Sequence, residues 1–329
     1  MIKKIGLFKD RKDESLKSVF ETKHKEIIEM TLLFNKKDID VVCVPTHHYC
    51  NLGCKICHLT NSSTSKKMIP IKFEDFQEAL KQTLYQKRRK RTNKKRLLIS
   101  FMGVGESLLN LSLLEKIFQE EEKLKEELAY DDISYALATI MPNTNYKRLM
   151  SLILEYQVPL KIHYSMHSPI DKKRKELIPS STITNEEALN FLVEYRNKIK
   201  ENKKIINRYI KFHQTDDPTE IHYTLINGKN DSKIELETLC NLLKKYQISI
   251  KFIKFNPKEN LEISKKEEEW KDMLKIYVKD LRIKSYTPPG KEIGSSCGEF
   301  TKHYYHQETE TEKEYLDFLK WKQLHQVHE

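Results

Sequence analysis

Tyr49-Cys50-Asn51-Leu52-Gly53-Cys54-Lys55-Ile56-Cys57 sets three cysteines in a CxxxCxxC pattern. Three thiolates at that spacing can fill three corners of a 4Fe-4S cube and leave the fourth iron without a protein ligand. Clusters that only carry electrons are normally held by four cysteines, so an open iron argues for an enzyme that binds and reduces a molecule there. The alternative is a zinc site completed by His47, His48 or His58, because thiolate and imidazole together suit zinc. Six cysteines in 329 residues are too sparse for a disulfide-stapled domain.

Outward from this loop, composition narrows the class. A hydrophobic content of 38% supports one large core or two modest ones. No apolar run approaches the roughly 20 residues that span a bilayer, and the Lys-rich start is too charged for a secretory leader. These features predict a cytoplasmic protein with no membrane partner. A net charge of +11 directs attention to polyanions, since a basic surface binds phosphate backbones through counterion release.

Patterning predicts the architecture. Residues 10–28 are charged with apolar positions at helical spacing (Leu16, Val19, Phe20), which predicts a surface helix. Residues 27–34 and 39–44 read as a hairpin running into the cysteine loop. Helices are then expected over 71–85, 111–128, 146–156, 185–199 and 233–245, alternating with strands over 97–101, 134–139, 160–164, 220–226 and 248–255. Six such alternations predict an α/β fold built on a parallel sheet, read here as a partial (β/α)6 barrel of the TIM type with an N-terminal β-hairpin extension. In that fold the chemistry gathers at the C-terminal ends of the strands, where the cysteine loop, Gly103 to Glu106, Ser165 to His167 and Asn256 all fall. The expected division is an N-terminal helical extension (1–28), a core (29–300) and a charged helical tail (301–329).

Several strings resemble the RlmN/Cfr family of radical S-adenosylmethionine RNA methyltransferases. They are Phe101-Met-Gly-Val-Gly-Glu-Ser-Leu-Leu-Asn110, Tyr164-Ser-Met-His-Ser-Pro169, Lys175-Glu-Leu-Ile-Pro179, Leu225-Ile-Asn-Gly-Lys-Asn-Asp231, Phe252-Ile-Lys-Phe-Asn-Pro257 and Ser296-Cys-Gly298. They stand in the family's order, together with the CxxxCxxC loop. The resemblance implies that Cys50, Cys54 and Cys57 hold one 4Fe-4S cluster, with two S-adenosylmethionine molecules used per turnover. It implies cofactor contacts at Gly105, Glu106, Ser165, Met166, His167 and Asn256. The family's serine at the third strand exit is replaced by Ala138, with Thr139 as its substitute.

The resemblance also assigns a methyl-carrying cysteine to Cys297 and a resolving cysteine to Cys43, seven residues before Cys50. One cofactor would methylate Cys297, and a second would generate the radical that activates that methyl group. The methylene would add to C2 or C8 of an adenosine in ribosomal or transfer RNA. Cys43 would then release the product by forming a disulfide with Cys297, to be reduced by the cellular thiol pool. Glu29 stands where one subgroup carries its general base. An electron donor such as flavodoxin or ferredoxin is implied as a partner.

The chain also departs from the family. Its N-terminal accessory domain is expected to be missing or reduced to a helix, and the basic residues before the methyl-carrying cysteine are replaced by Tyr286-Thr-Pro-Pro-Gly290. In their place Lys87-Arg-Arg-Lys-Arg-Thr-Asn-Lys-Lys-Arg96, eight basic residues in ten, reads as a loop able to contact phosphates. Two other functions stay open on the sequence. One is a radical S-adenosylmethionine enzyme acting on a peptide, protein or small molecule; the other is a zinc-stabilised basic RNA-binding protein.

Overall fold

The computed structural model describes residues 2–34, 36, 38–61, 67–88, 95–180, 182–256, 261–293 and 312–327. The chain divides into two compact units. The first comprises Met1–Asn51, Cys57–Ala136 and Pro289–Glu329, and the second Leu52–Ile56 and Leu137–Pro288.

The first unit opens with β1 (Ile2–Lys9), β2 (Leu16–Thr22), β3 (Ile27–Leu33) and β4 (Ile39–Cys43), each antiparallel to the next. The surface helix expected over 10–28, and with it the helical reading of 1–28, is corrected: the segment is turn, strand, turn. Asp10 Oδ1 accepts the backbone N–H groups of Lys12 and Asp13, and Glu14 and Lys25 take left-handed φ of 63° and 62°. The charges therefore sit in tight turns. Val19, Phe20 and Thr22 fit a pleated strand, and β2 is buried on both faces because Lys17 is paired rather than solvated. The N-terminal extension is thus three strands leading into β4.

From β4 the pairing turns parallel. A helix α1 (Phe73–Arg88) connects β4 to β5 (Arg96–Phe101), which pairs with β4 along Ile39–Arg96 to Cys43–Ser100. The single helix expected over 111–128 is two, α2 (Leu111–Gln119) and α3 (Glu121–Leu128), separated at Glu120. They lead into β6 (Asp132–Thr139). A C-terminal helix (Glu312–His325) returns to β1, where Trp321 stacks on Phe8 at 5.1 Å and the Val327 N–H donates to Leu7 O.

The second unit continues the repeat with α4 (Tyr146–Tyr156), β7 (Leu160–Ser165), α5 (Asp171–Leu177), α6 (Asn185–Glu201), α7 (Lys203–His213), β8 (Thr219–Tyr223), α8 (Lys233–Tyr246), β9 (Ile250–Ile253), α9 (Glu267–Tyr277) and β10 (Ile283–Tyr286). β7 to β10 pair in parallel. Capping boxes start α6 (Thr184 with Glu187) and α8 (Ser232 with Glu235), each satisfying N–H groups that a helix start leaves open. α7 (Lys203–His213) fills most of the segment 203–218, where the sequence is silent, and buries Ile205, Ile206, Tyr209 and Phe212 on one face. Strands follow chain order throughout the sheet, and from β4 to β9 each is followed by helix, as the six-fold alternation predicts.

Candidate active site

In the first unit, the turn after β5 is laid against the chain leaving β4. Gly103 N–H donates to Val44 O, and Val104 O accepts from the N–H groups of Thr46 and His47. A Cβ on Gly103 would lie 2.8 Å from the Val44 backbone. On Gly105, at φ +107°, it would lie 2.5 Å from His47 Nδ1, so only glycine fits here. Asn110 Nδ2 donates to Thr46 O and Ile71 O, fixing the same strand exit. Glu106 is buried and caps the following 3-10 turn, accepting the Leu108 N–H at 3.2 Å.

The cysteine loop starts from this support. Cys50 and Cys57 pack against buried Tyr49, Leu59 and Val104. His47 and His48, candidate zinc ligands, are occupied elsewhere. His47 Nδ1 lies 2.9 Å from Thr46 Oγ1, and burial pushes its pKa down to about 4. His48 Nδ1 contacts Ile27 O, its Nε2 faces Glu26, and burial lowers its pKa as well.

Cys43 ends β4, paired with Thr31 of β3 and Ser100 of β5. That sheet face also carries Lys17, opposite Thr31, and Glu29. Lys17 and Glu29 form a buried ion pair of 2.9 Å, with side chains 1% and 6% exposed. Burial pushes the Cys43 thiol up to about 12; a backbone hydrogen bond from Met102 and the charge of Lys17 oppose this, and Glu29 reinforces it.

In the second unit, Leu52, Cys54 and Ile56 pack against Ile140, Leu177, Ile178, Ile226 and Phe255. Lys55 N–H donates to Leu177 O, and a Cβ on Gly53 would meet Pro179 at 3.3 Å. The Lys175 to Pro179 string thus serves as a seat for the middle of the cysteine loop.

His167 follows β7 in a left-handed conformation with φ of 55°. Asn230 holds it there, donating from Nδ2 to His167 O and Thr224 O and accepting the Ile226 N–H at Oδ1. Thr224 N–H donates to His167 Nδ1, so the proton of the neutral ring is on Nε2. Burial lowers the His167 pKa to about 3. Ser168 donates to Glu235 in the α8 capping box, so one carboxylate starts a helix and anchors the β7 exit. Ser165 is half-buried, Met166 buried and Asn256 half-buried. Thr139 is buried, with its hydroxyl accepting the Met141 N–H.

Cys297 and residues 89–94 of the basic run lie outside the described residues. Sequence reasoning missed Lys17, His163, Glu220 and His222. The available signal was Glu-x-His at 220–222, which on a strand puts both side chains on one face.

No family model matches the chain. It is 26% identical over 303 residues to the probable dual-specificity RNA methyltransferase RlmN of Clostridioides difficile, covering 89% of this chain and 77% of that protein. The RlmN of Buchnera aphidicola is 26% identical over 284 residues, covering 84% and 71%. For the probable RlmN of Prochlorococcus marinus strain NATL1A the match is 26% over 248 residues, 74% of this chain and 61% of that protein. A solved radical SAM methyltransferase from Sphaerobacter thermophilus is similar with a TM-score of 0.65 at 19% identity, over 90% of this chain and 80% of that one. That likeness shows the fold, the expected partial barrel.

Proposed function

We propose that this chain, a radical S-adenosylmethionine methyltransferase of the RlmN/Cfr-like group, methylates an adenosine carbon of RNA, C2 or C8, through a methyl-cysteine at Cys297. Cys50, Cys54 and Cys57 are the residues to hold a 4Fe-4S cluster. The donor set fits: three half-buried thiols on one loop, none in a disulfide, with apolar packing beneath each. When bound, the cluster supplies the electron that splits S-adenosylmethionine, the methyl donor and radical source.

The chain's own residues do the rest. Gly105 and Glu106, Ser165 to His167, Asn256 and Thr139 receive the cofactor, and His167 offers a neutral Nε2–H instead of a charge. Cys297 accepts the methyl group. Cys43 closes the cycle by forming a disulfide with Cys297, releasing the methylated base, and external thiols restore both sulfurs. Glu29 is the general base of this reading, its carboxylate held beside Lys17. The basic run 87–96 meets RNA phosphates, and a flavodoxin or ferredoxin supplies electrons.

The observation that carries the reading is the company Cys43 keeps: it ends β4 on the sheet face bearing Lys17 and Glu29, immediately before Val44, which seats Gly103. RNA from cells with and without the gene tests it. A C2- or C8-methyladenosine absent from the deletion strain is the expected result, and identical methyladenosine maps would overturn it.

A further inference from the structure

The second unit buries a group of ligand-type side chains that neither the cysteine loop nor the cofactor contacts use. His163 on β7 pairs in register with Glu220 on β8, and His222 lies two residues on, so all three share one sheet face. They are 4%, 1% and 8% exposed. His163 Nδ1 lies 3.1 Å and His222 Nε2 3.7 Å from Glu220 Oε2, and all three atoms lie within 4.8 Å of one another. Among the described residues, neither imidazole nitrogen is in hydrogen-bonding geometry with any group, although both are buried. Buried polar atoms are normally satisfied, so two buried imidazole nitrogens facing one carboxylate without hydrogen-bonding geometry call for an explanation.

We propose that His163, Glu220 and His222 form a second metal site, taking a divalent transition-metal ion such as zinc. Two imidazoles and a carboxylate are a ligand set that zinc uses, and donors about 2.1 Å from a tetrahedral zinc stand about 3.4 Å apart. The separations of 3.1 and 3.7 Å bracket that spacing. The competitor is an ammonium group: Lys251 Nζ lies against Glu220 Oε2, while Lys161 Nζ takes Oε1 at 3.2 Å. A metal on Oε2 displaces Lys251 and leaves Lys161 as the outer partner that orients the carboxylate. Lys251 has somewhere to go, since its side chain is 19% exposed and its ammonium already lies 5.7 Å from the centre of the Tyr286 ring.

The test uses the full chain carrying Cys50→Ala, Cys54→Ala and Cys57→Ala, so that the loop thiolates bind nothing, titrated with Co2+ and then Zn2+. One equivalent of Co2+ is expected, with visible d–d bands and no thiolate-to-cobalt charge transfer. His163→Gln and His222→Gln should each weaken Zn2+ binding by at least about tenfold. Lys251→Met, which removes the competitor, should strengthen it and keeps the test decisive if a histidine variant folds poorly. Absence of a bound equivalent, equal retention by both histidine variants, or weaker binding in Lys251→Met would each overturn the site. Zinc accompanying iron in the cluster-loaded wild-type protein is the corresponding result for the holoenzyme.

Discussion

Lys17 and Glu29 pair across β2 and β3 at 2.9 Å, ammonium to carboxylate, whereas Glu220 on β8 is shared by Lys161, Lys251 and two imidazoles. The first arrangement sets one ammonium against one carboxylate, so removing both members takes away equal and opposite charge. The second has more nitrogen than its single carboxylate can satisfy. Burial opposes ionisation of Glu220, yet His163, His222 and Lys161 hold its carboxyl well below the ordinary range. Both sit on strands that look half-polar in sequence, but the second gathers two ammonium groups and two imidazoles around one carboxylate.

The largest contrast lies beside the Lys17 and Glu29 pair. With its thiol pushed from an ordinary 9 to about 12, Cys43 should be alkylated at pH 8 about a thousandfold more slowly than an ordinary cysteine. Peptide-mapped iodoacetamide labelling of the full chain checks this, and labelling at the ordinary rate would show that Cys43 is already activated.

Next come the clusters themselves. Glu220→Gln strands two ammonium groups and should lower stability by about 4 kcal/mol, and Lys17→Met by about 3 kcal/mol, read from urea midpoints. Adding Glu29→Leu to Lys17→Met should recover most of its loss, because the carboxylate left without its 2.9 Å ammonium partner is then removed as well. A Glu220→Gln protein as stable as wild type would erase the distinction drawn between the two regions.

Per unit of pH, the smallest effect is one that both units share. His47 and His167 are held neutral when folded, at about 4 and about 3, against 6.5 in the unfolded chain. The unfolded state then binds more protons below pH 6.5, so stability should fall on acidification through that value. The decline continues until the folded values are reached, at up to about 1.4 kcal/mol per pH unit for each histidine. Urea midpoints from pH 7 to 4 measure the slope, and His167→Gln should flatten it by one histidine's share.

Much of the site was legible because its residues are local: CxxxCxxC, Met102 to Glu106 and Ser165 to His167 each sit on a single strand exit. The alternation of helix and strand from residue 39 to 255 was readable for the same reason, since each element's apolar period is written within its own span. Residues 10–28 were misread because a window cannot tell a solvated Lys17 from one buried against Glu29, twelve positions away.

By itself the sequence determined the βα order and which residue types stand at each strand exit, for these depend on near neighbours along the chain. Tertiary structure alone decided that His47 and His48 are engaged away from the cysteines, that the Thr224 N–H fixes the His167 tautomer, and that His163, Glu220 and His222 converge. Those outcomes depend on register between strands far apart in sequence, and burial and hydrogen bonding take effect only once that register is set.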